Sequence, residues 1–426
     1  MQINEAIKKG SGKVELKGWI YRERKGKEII FLVLRDSTDI VQCVLKKENF
    51  DKKEWEKAEK ILVETSVKIE GEIKEDKRAP TGYEVNVGKF EVVGGCEDFP
   101  ITKDQSPEFL LDKRHLWIRS RRLNSIFKIR SEVFKATREF FDNLGYAETH
   151  CPILTPNACE GGSNLFEVKY FNDKVYLTQS WQLYAEALIF GLEKIYTIAP
   201  CFRAEKSKTS RHLTEFWMAE MEAAWIDLGK LIEIAEKLLE YIIKRILEKN
   251  KKELDILKRD ISKLENIKTP FERITYTDAL KILEKDGIKI NWGKDLRTIE
   301  EDALMKHFEK PLIITHYPKE AMAFYKPKDE KDDKVAVCFD MLATEGYGEI
   351  FGGSQRDIDI EELKKALKKE GEKIEKYEWY LDLRRYGSVP HSGFGMGMER
   401  VIAWICGLDN IKDTIPFPRT MLRKEP

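Results

Sequence analysis

An α+β protein in two parts is what the sequence predicts, and three observations predict it. The first 95 residues alternate apolar and polar residues in short strand-like runs around a single helical stretch. From Ile126 the apolar spacing turns helical. Near the C-terminus a glycine-rich run leads directly into an apolar helix. Strands gathered first and helices segregated later suit an α+β architecture rather than a regular βαβ alternation.

In the N-terminal part, Val14 to Ile20 alternates apolar and polar residues. Ile29 to Leu34 is a continuous apolar run, expected to be a strand buried on both faces. Asp36-Ser37-Thr38-Asp39 is a turn signal, and Ile40 to Leu45 follows it as a third strand. Glu54 to Leu62 reads as a helix. Val67 to Gly71 and Tyr83 to Val87 complete the set. Three strands, a helix and two strands is the order of an OB barrel, a fold that suits single-stranded nucleic acid. Residues 1–98 are taken as this domain, 99–124 as a hinge linker and 125–426 as a second domain with a helical insertion near 229–270.

The linker carries Pro100 and Pro107 and a basic cluster of Lys113, Arg114, Arg119, Arg121 and Arg122. Between two domains that share an RNA, such a cluster is expected to meet phosphate. In the second domain Ile126, Ile129, Val133, Phe134, Thr137, Phe140 and Phe141 share one helical face, closed by Gly145. Strand-like runs follow at 174–178, 195–205 and 214–225. Leu231 to Ile246 is a strong amphipathic helix, and Leu254 to Leu264 and Thr277 to Glu284 also read as helical. Leu312 to His316, Val335 to Phe339 and Tyr377 to Leu383 read as strands.

The chain has 426 residues, of which 42% are hydrophobic, enough to build cores. No apolar run reaches the length of a membrane span, and the N-terminus lacks a leader's apolar stretch. A cytoplasmic protein is expected, with neither membrane nor DNA among its partners. Seven cysteines without CxxC spacing argue against disulfides and structural zinc. Lys plus Arg and Asp plus Glu both count 75, so any nucleic-acid binding must come from local patches.

Two stretches carry chemistry. Cys201-Phe202-Arg203-Ala204-Glu205, a charged loop from Lys206 to Leu213, and Thr214-Glu215-Phe216-Trp217-Met218-Ala219-Glu220 read as strand, loop, strand. Period two puts Phe216 and Glu220 on one face. An aromatic ring near Arg203, Arg211 and His212 suits a purine carrying phosphates, and equally fits an ordinary charged hairpin with one core Phe. The second stretch, Gly393-Phe394-Gly395-Met396-Gly397-Met398-Glu399-Arg400, lets the backbone approach a ligand and places an arginine at a helix start.

Together the two stretches resemble the second and third signature motifs of class II aminoacyl-tRNA synthetases. The helix at 126–144 leading into Glu148-Thr149-His150-Cys151-Pro152 resembles the first, whose proline lies at a homodimer interface in that family. The resemblance covers nearly the whole chain and makes the barrel an anticodon-binding domain of the subgroup for Asp, Asn and Lys. It implies ATP and Mg²⁺ as cofactors, tRNA as partner and a homodimer. Arg203 and Arg400 would be the catalytic pair. The ATP site would comprise Arg203, Glu205, Arg211, His212, Leu213, Phe216, Gly397, Met398, Glu399 and Arg400, with Phe216 and Arg400 enclosing the adenine. Glu349, with Asp340 as a second contact, would hold the metal. Glu160, in the run to Asn164 that matches a mobile loop, would meet the amino acid's ammonium, with Gln182, Glu220 and Arg356 as further amino-acid contacts. Arg24, Phe31 and Gln42 would meet the anticodon.

The resemblance points to the archaeal-like asparaginyl branch, and so to L-asparagine as substrate. Aspartyl relatives carry lysine where this chain has Ala185, and aspartate where it has Glu220. A longer carboxylate can accept from an amide NH₂ and repel a substrate carboxylate. The aspartyl enzyme, strict or non-discriminating, is the alternative. An ATP-dependent asparagine synthetase on the same fold is a second, which the barrel speaks against. A catalytically dead RNA-binding paralogue is a third, which the intact motifs speak against.

Overall fold

The computed structural model describes residues 1–160, 164–206 and 211–426. The chain divides into two compact units, Met1–Leu116 and Trp117–Pro426.

In the first unit, strands β1 (Gly12–Lys25), β2 (Ile29–Arg35), β3 (Ile40–Lys46), β4 (Ser66–Glu75) and β5 (Tyr83–Gly94) close into a barrel in the order β1-β2-β3-β5-β4. The helix Lys52–Glu59 lies between β3 and β4 in sequence. Asp51 caps it by accepting from the Glu54 N–H at 2.8 Å. A further helix, Ile3–Lys9, precedes the barrel and buries Ile3 and Ala6; its seven residues gave no readable period. β2 departs from expectation. Ile30, Leu32 and Leu34 are buried, whereas Ile29 is exposed and Phe31 and Val33 are half-buried. A closed barrel has one packed inside, so an unbroken apolar run still sends alternate side chains outward.

The second unit is built on an antiparallel-dominated sheet. Its strands are β6 (Ala147–Glu148), β10 (Lys194–Phe202), β11 (Glu215–Ala224), β12 (Glu272–Thr275), β13 (Leu312–Thr315), β14 (Cys338–Ala343), β15 (Gly348–Gln355) and β16 (His391–Gly397). Among the described residues the order is β12-β13-β14-β15-β16-β11-β10-β6, with only the β12–β13 and β10–β6 pairs parallel. The strands β7 (Leu154–Thr155), β8 (Glu167–Tyr170) and β9 (Asp173–Leu177) form a small separate sheet.

One face of the large sheet is packed by the helices Arg121–Asn143, Leu228–Lys249 and Met398–Cys406. Ile129, Val133, Leu238, Ile242, Phe351, Phe394 and Trp404 share that core. The helix Arg121–Asn143 starts at the Ser120 cap and ends before Gly145, whose φ of 75° is the left-handed turn that glycine tolerates. The helices after residue 228 belong to this main core. The expected stretch from Leu254 to Leu264 is two short helices, Lys251–Ile256 and Ser262–Glu265, broken at Lys258 with φ of 58°.

Tyr377 to Leu383 is not a strand but the start of the helix Glu378–Arg385. Tyr377, Tyr380, Leu381 and Arg384 fall on its buried side at spacings of three and four. Aromatic and branched composition suggested a strand, and packing overrode it. The strand expected over Val335 to Phe339 begins at Cys338 instead. All seven cysteines are free, five of them buried. No helix among the described residues is long and apolar enough to cross a membrane.

Candidate active site

The open face of the sheet forms a cleft because its middle is glycine. Directly paired residues of an antiparallel sheet share a face. Asp340, Gly352, Gly395 and Glu220 are therefore aligned across β14, β15, β16 and β11. Two glycines floor the trough between two carboxylates. Along β11 the same face presents Phe216, Met218, Glu220 and Glu222 in sequence. The glycines of β16 thus serve inside a strand rather than in a loop. A Cβ at Gly395 would lie 2.5 Å from Met218 Cε, and one at Gly393 would lie 2.0 Å from Glu222 Oε2.

At one end of the cleft, Arg203, Glu205, Arg211, His212, Leu213, Phe216, Gly397, Glu399, Arg400 and Glu349 come together, with Met218, Ile350 and Ile411 between them. These residues come from the connection between β10 and β11, from β11, β15 and β16, from the helix after β16 and, for Ile411, from the short turn beyond it. The Arg203 guanidinium lies 5.5 Å from the Phe216 ring centre, and its buried Nε has no hydrogen-bond partner among the described residues. His212 faces Glu205 at 3.5 Å; burial holds its pKa below the ordinary value despite that carboxylate. Arg211 pairs with Asp302 at 3.1 Å, and Arg400 donates to the Glu349 carbonyl.

Two expected nucleotide contacts, Met398 and Glu399, have structural surroundings of their own. Met398 is fully buried in the hydrophobic core and does not line the cleft, because the helix turns its first side chain inward. The buried Glu399 carboxylate takes Arg130 Nη1 at 2.6 Å and the Trp217 N–H at 2.8 Å, so it braces the cleft wall.

At the other end sit the expected amino-acid contacts. Glu220 is 5% exposed and accepts from the Ser180 hydroxyl and, at 3.3 Å, from the Trp181 N–H. Burial pushes its carboxyl up to about 7, against the pull of the Ser180 bond. Arg356 is held by Glu222 through Nε at 3.0 Å and Nη2 at 2.7 Å, and by Ser354 through Nη1 at 2.9 Å. Tyr325 donates to Glu160 at 2.5 Å, and its ring lies 5.2 Å from the Arg356 guanidinium. Gln182 donates to Glu186 at 3.0 Å. Residues 161–163 and 207–210, within the expected mobile loop and hairpin loop, lie outside the described residues.

Sequence reasoning missed several members. Glu186, Glu222, Tyr325 and Asp302 join the site through long-range contacts that no local pattern announces. Ala185 is fully buried in an apolar cluster with Trp181, Ile189, Ile195 and Ala224.

Asp340 and Glu349 flank Gly352. A Cβ there would stand 2.7 Å from Glu349 Oε1 and 3.4 Å from Asp340 Oδ1. Burial, and then the Glu349 charge, hold the Asp340 carboxyl well above the ordinary range. Two converging carboxylates beside a gap fit a hard divalent cation that also takes phosphate oxygens. Glu301, whose carboxyl burial pushes up to about 7, stands on the same side near Gly348.

On the barrel, Arg24, Phe31 and Gln42 share the outer face. Arg24 lies opposite Phe31 with its guanidinium 4.6 Å from the ring centre, and Gln42 donates to Glu84 at 3.1 Å. Phe31 pairs with Val44 and Val33 with Gln42, so the ring and the amide are neighbours on an accessible surface. In the basic cluster that runs from Lys113 to Arg122, Arg114 is fully buried, which removes it from any phosphate surface.

The class II tRNA synthetase family for D, K and N matches residues 106–421, and the OB-fold nucleic acid binding domain matches residues 14–93. An asparagine–tRNA ligase of Thermococcus gammatolerans is 48% identical over 414 residues, covering 97% of this chain and 96% of that protein. One from Thermoplasma acidophilum is 45% identical over the same shares. The crystal structure of asparaginyl-tRNA synthetase from Pyrococcus horikoshii complexed with asparaginyl-adenylate superposes with a TM-score of 0.97 at 46% identity, covering 100% of this chain and 99% of that one. The Entamoeba histolytica asparaginyl-tRNA synthetase bound to the same adenylate gives 0.89 at 31% identity over 97% of each chain.

Proposed function

This chain belongs to the class II tRNA synthetases of the Asp, Lys and Asn group, and from that premise we propose how its cleft works. The chain activates L-asparagine with ATP to asparaginyl-adenylate and transfers the asparaginyl group to tRNA. The observation that carries the residue assignment is the single face of β11, which runs from Phe216 at the Arg203 and Arg400 end to Glu220 and Glu222 at the Arg356 end. ATP lies along the first half and asparagine along the second.

The asparagine carboxylate attacks the α-phosphorus in line, and pyrophosphate leaves. Both reactants are anionic, so alignment and charge neutralisation are what the site must supply, and no side-chain nucleophile is required. Arg203 grips the α-phosphate; its Nε has no hydrogen-bond partner among the described residues. Phe216 and Arg400 enclose the adenine, and His212 and Arg400 extend toward the γ-phosphate. Asp340 and Glu349 would hold Mg²⁺, which would neutralise phosphate charge when bound. Glu160, held by Tyr325, takes the ammonium. Gln182 contributes beside it. Arg356 donates to the side-chain oxygen, and Glu220 accepts from the side-chain NH₂.

Arg24, Phe31 and Gln42 read the anticodon by stacking and hydrogen bonding. Residues 99–124 act as the hinge between the barrel and the catalytic domain. A homodimer forms around Pro152, beside the exposed Ile153 and Leu154. The work takes place in the cytoplasm. Pyrophosphate exchange with asparagine and aspartate in parallel tests the reading: asparagine should be preferred, and a preference for aspartate would overturn the pocket assignment.

A further inference from the structure

Behind the asparagine end of the cleft lies a buried cluster of charges that the signature motifs do not account for. Its hub is Glu186, fully buried on the helix Gln182–Leu192. Its Oε2 accepts from Arg384 Nη2 at 2.5 Å and from the Tyr380 hydroxyl at 2.8 Å, and meets His391 Nε2 at 3.0 Å. Its Oε1 accepts from Gln182 Nε2 at 3.0 Å and stands 4.0 Å from Arg356 Nε. One carboxylate thus ties together two candidate amino-acid contacts, Gln182 and Arg356, and three groups that stand behind them. Burial alone would raise its pKa; the charges of Arg384, His391 and Arg356 hold it low instead.

We propose that Glu186 is the positioning residue that sets the donor–acceptor and charge pattern of the asparagine pocket. It does so by orienting Gln182 and by standing as a second anion behind Arg356. This rests on the reading that Gln182 and Arg356 meet the substrate.

A carboxylate can only accept, so Gln182 must turn its NH₂ toward Glu186. The amide oxygen is then the atom it offers elsewhere, an acceptor for a substrate N–H. Arg356 already has its charge answered by the two-point contact with Glu222, and Glu186 adds to that. A neutral carbonyl oxygen can take a remaining N–H of Arg356 without penalty. A substrate carboxylate would be the third anion on one guanidinium. The cluster thus favours the amide over the acid through Arg356, independently of Glu220. The fit is tight: a Cβ at Gly393 would lie 2.6 Å from Arg356 Nη2, so the guanidinium has little freedom to turn away.

The test is kcat and KM in pyrophosphate exchange for asparagine, aspartate and ATP, with thermal melts, on full-length Glu186→Gln, Tyr380→Phe and Arg356→Lys. In Glu186→Gln the KM for asparagine should rise about tenfold and the aspartate-to-asparagine ratio of kcat/KM should rise about tenfold, the scale of one lost charge in a partly hydrated pocket. The KM for ATP should not move. Tyr380→Phe removes one hydrogen bond from the same oxygen without changing charge; it should raise the asparagine KM roughly threefold and leave the ratio alone. A folded Glu186→Gln protein with unchanged asparagine KM and ratio overturns the proposal, as does an equal loss for asparagine and ATP. If Glu186→Gln does not fold, an unchanged asparagine KM in Tyr380→Phe overturns it. An unchanged asparagine KM in Arg356→Lys would instead overturn the pocket reading itself, so the two failures are distinguishable.

Discussion

Arg130 and Glu399 meet at 2.6 Å, tying the long helix that begins the catalytic unit to the first turn of the helix that ends the glycine-rich strand. Glu399 is nearly inaccessible, and burial raises its pKa against the opposing Arg130 charge. Its other oxygen fixes the Trp217 N–H, next to Phe216. Replacing Arg130 by methionine leaves a buried carboxylate unpaired and should cost about 3 kcal/mol of stability, the lower end for breaking a buried pair. Because Phe216 and Arg400 flank the affected groups, the KM for ATP should rise more than that for asparagine. Thermal melts and exchange kinetics check both; unchanged stability would mean the pair is replaceable by solvent.

Glu220 gives a pH dependence with a definite sign. Its folded value of about 7 lies above the ordinary 4.5. The stability it contributes is therefore complete below 4.5 and is lost as pH rises through about 7. For substrate-free protein that loss is about 3 kcal/mol at most. The wild type should lose more stability between pH 5 and pH 8, as buffer conditions, than Glu220→Gln does. Selectivity should move the other way. Ionised Glu220 repels aspartate, so the asparagine-to-aspartate ratio of kcat/KM should climb across that range in the wild type and stay flat in Glu220→Gln. A flat wild-type ratio would remove Glu220 as the discriminating group. At constant pH near 8, Glu220→Gln should weaken asparagine use and relax the rejection of aspartate.

Lysine at position 185 should not confer aspartate binding in this chain. Ala185 is enclosed by Trp181, Ile189, Ile195 and Ala224. A long charged side chain there overfills the cluster and buries a cation, which should cost roughly 1–3 kcal/mol from overpacking alone. Ala185→Lys should lower the melting temperature while leaving the substrate ratio unchanged. A stable variant that prefers aspartate would show that the helix Gln182–Leu192 can rotate its face toward the substrate.

Phe31 is half-buried on the outer barrel face under the Arg24 guanidinium, a position suited to stacking. Phe31→Ala should lower kcat/KM for tRNA charging roughly tenfold, in line with about 1–3 kcal/mol per stacked base. Pyrophosphate exchange without tRNA should be unaffected. Equal charging by the variant and the wild type would remove Phe31 from the anticodon surface. Deleting residues 1–98 should have the same polarity with a larger effect on charging.

The dimer is checked by light scattering at micromolar protein. A dimer mass is expected, and Pro152→Asp, beside the exposed Ile153 and Leu154, should shift it toward the monomer. A stable and fully active wild-type monomer would exclude the proposed interface.

What the sequence by itself determined was everything carried by short-range pattern. Period two in Val14 to Ile20 and after Glu215, the apolar stripe from Ile126 to Phe141 and the two charged motifs yielded the barrel, the core helix and the residues that gather at the Arg203 and Arg400 end of the cleft. Tertiary structure alone decided the rest. It turned the run Ile29 to Leu34 into a one-sided strand because a barrel has a single packed interior. It made Tyr377 to Leu383 helical because Tyr377, Tyr380, Leu381 and Arg384 had a common core to enter. It sent Met398 inward and gave Glu399 to Arg130. The Glu220 and Arg356 end of the cleft was the least legible part. Its geometry depends on Glu186, Glu222, Tyr325, Ser354, Arg356, Arg384 and His391, which lie far apart in the chain and meet only when the sheet and its flanking helices have closed around them. Local periodicity records which face of an element is apolar; it contains no term for which buried charge will find which partner.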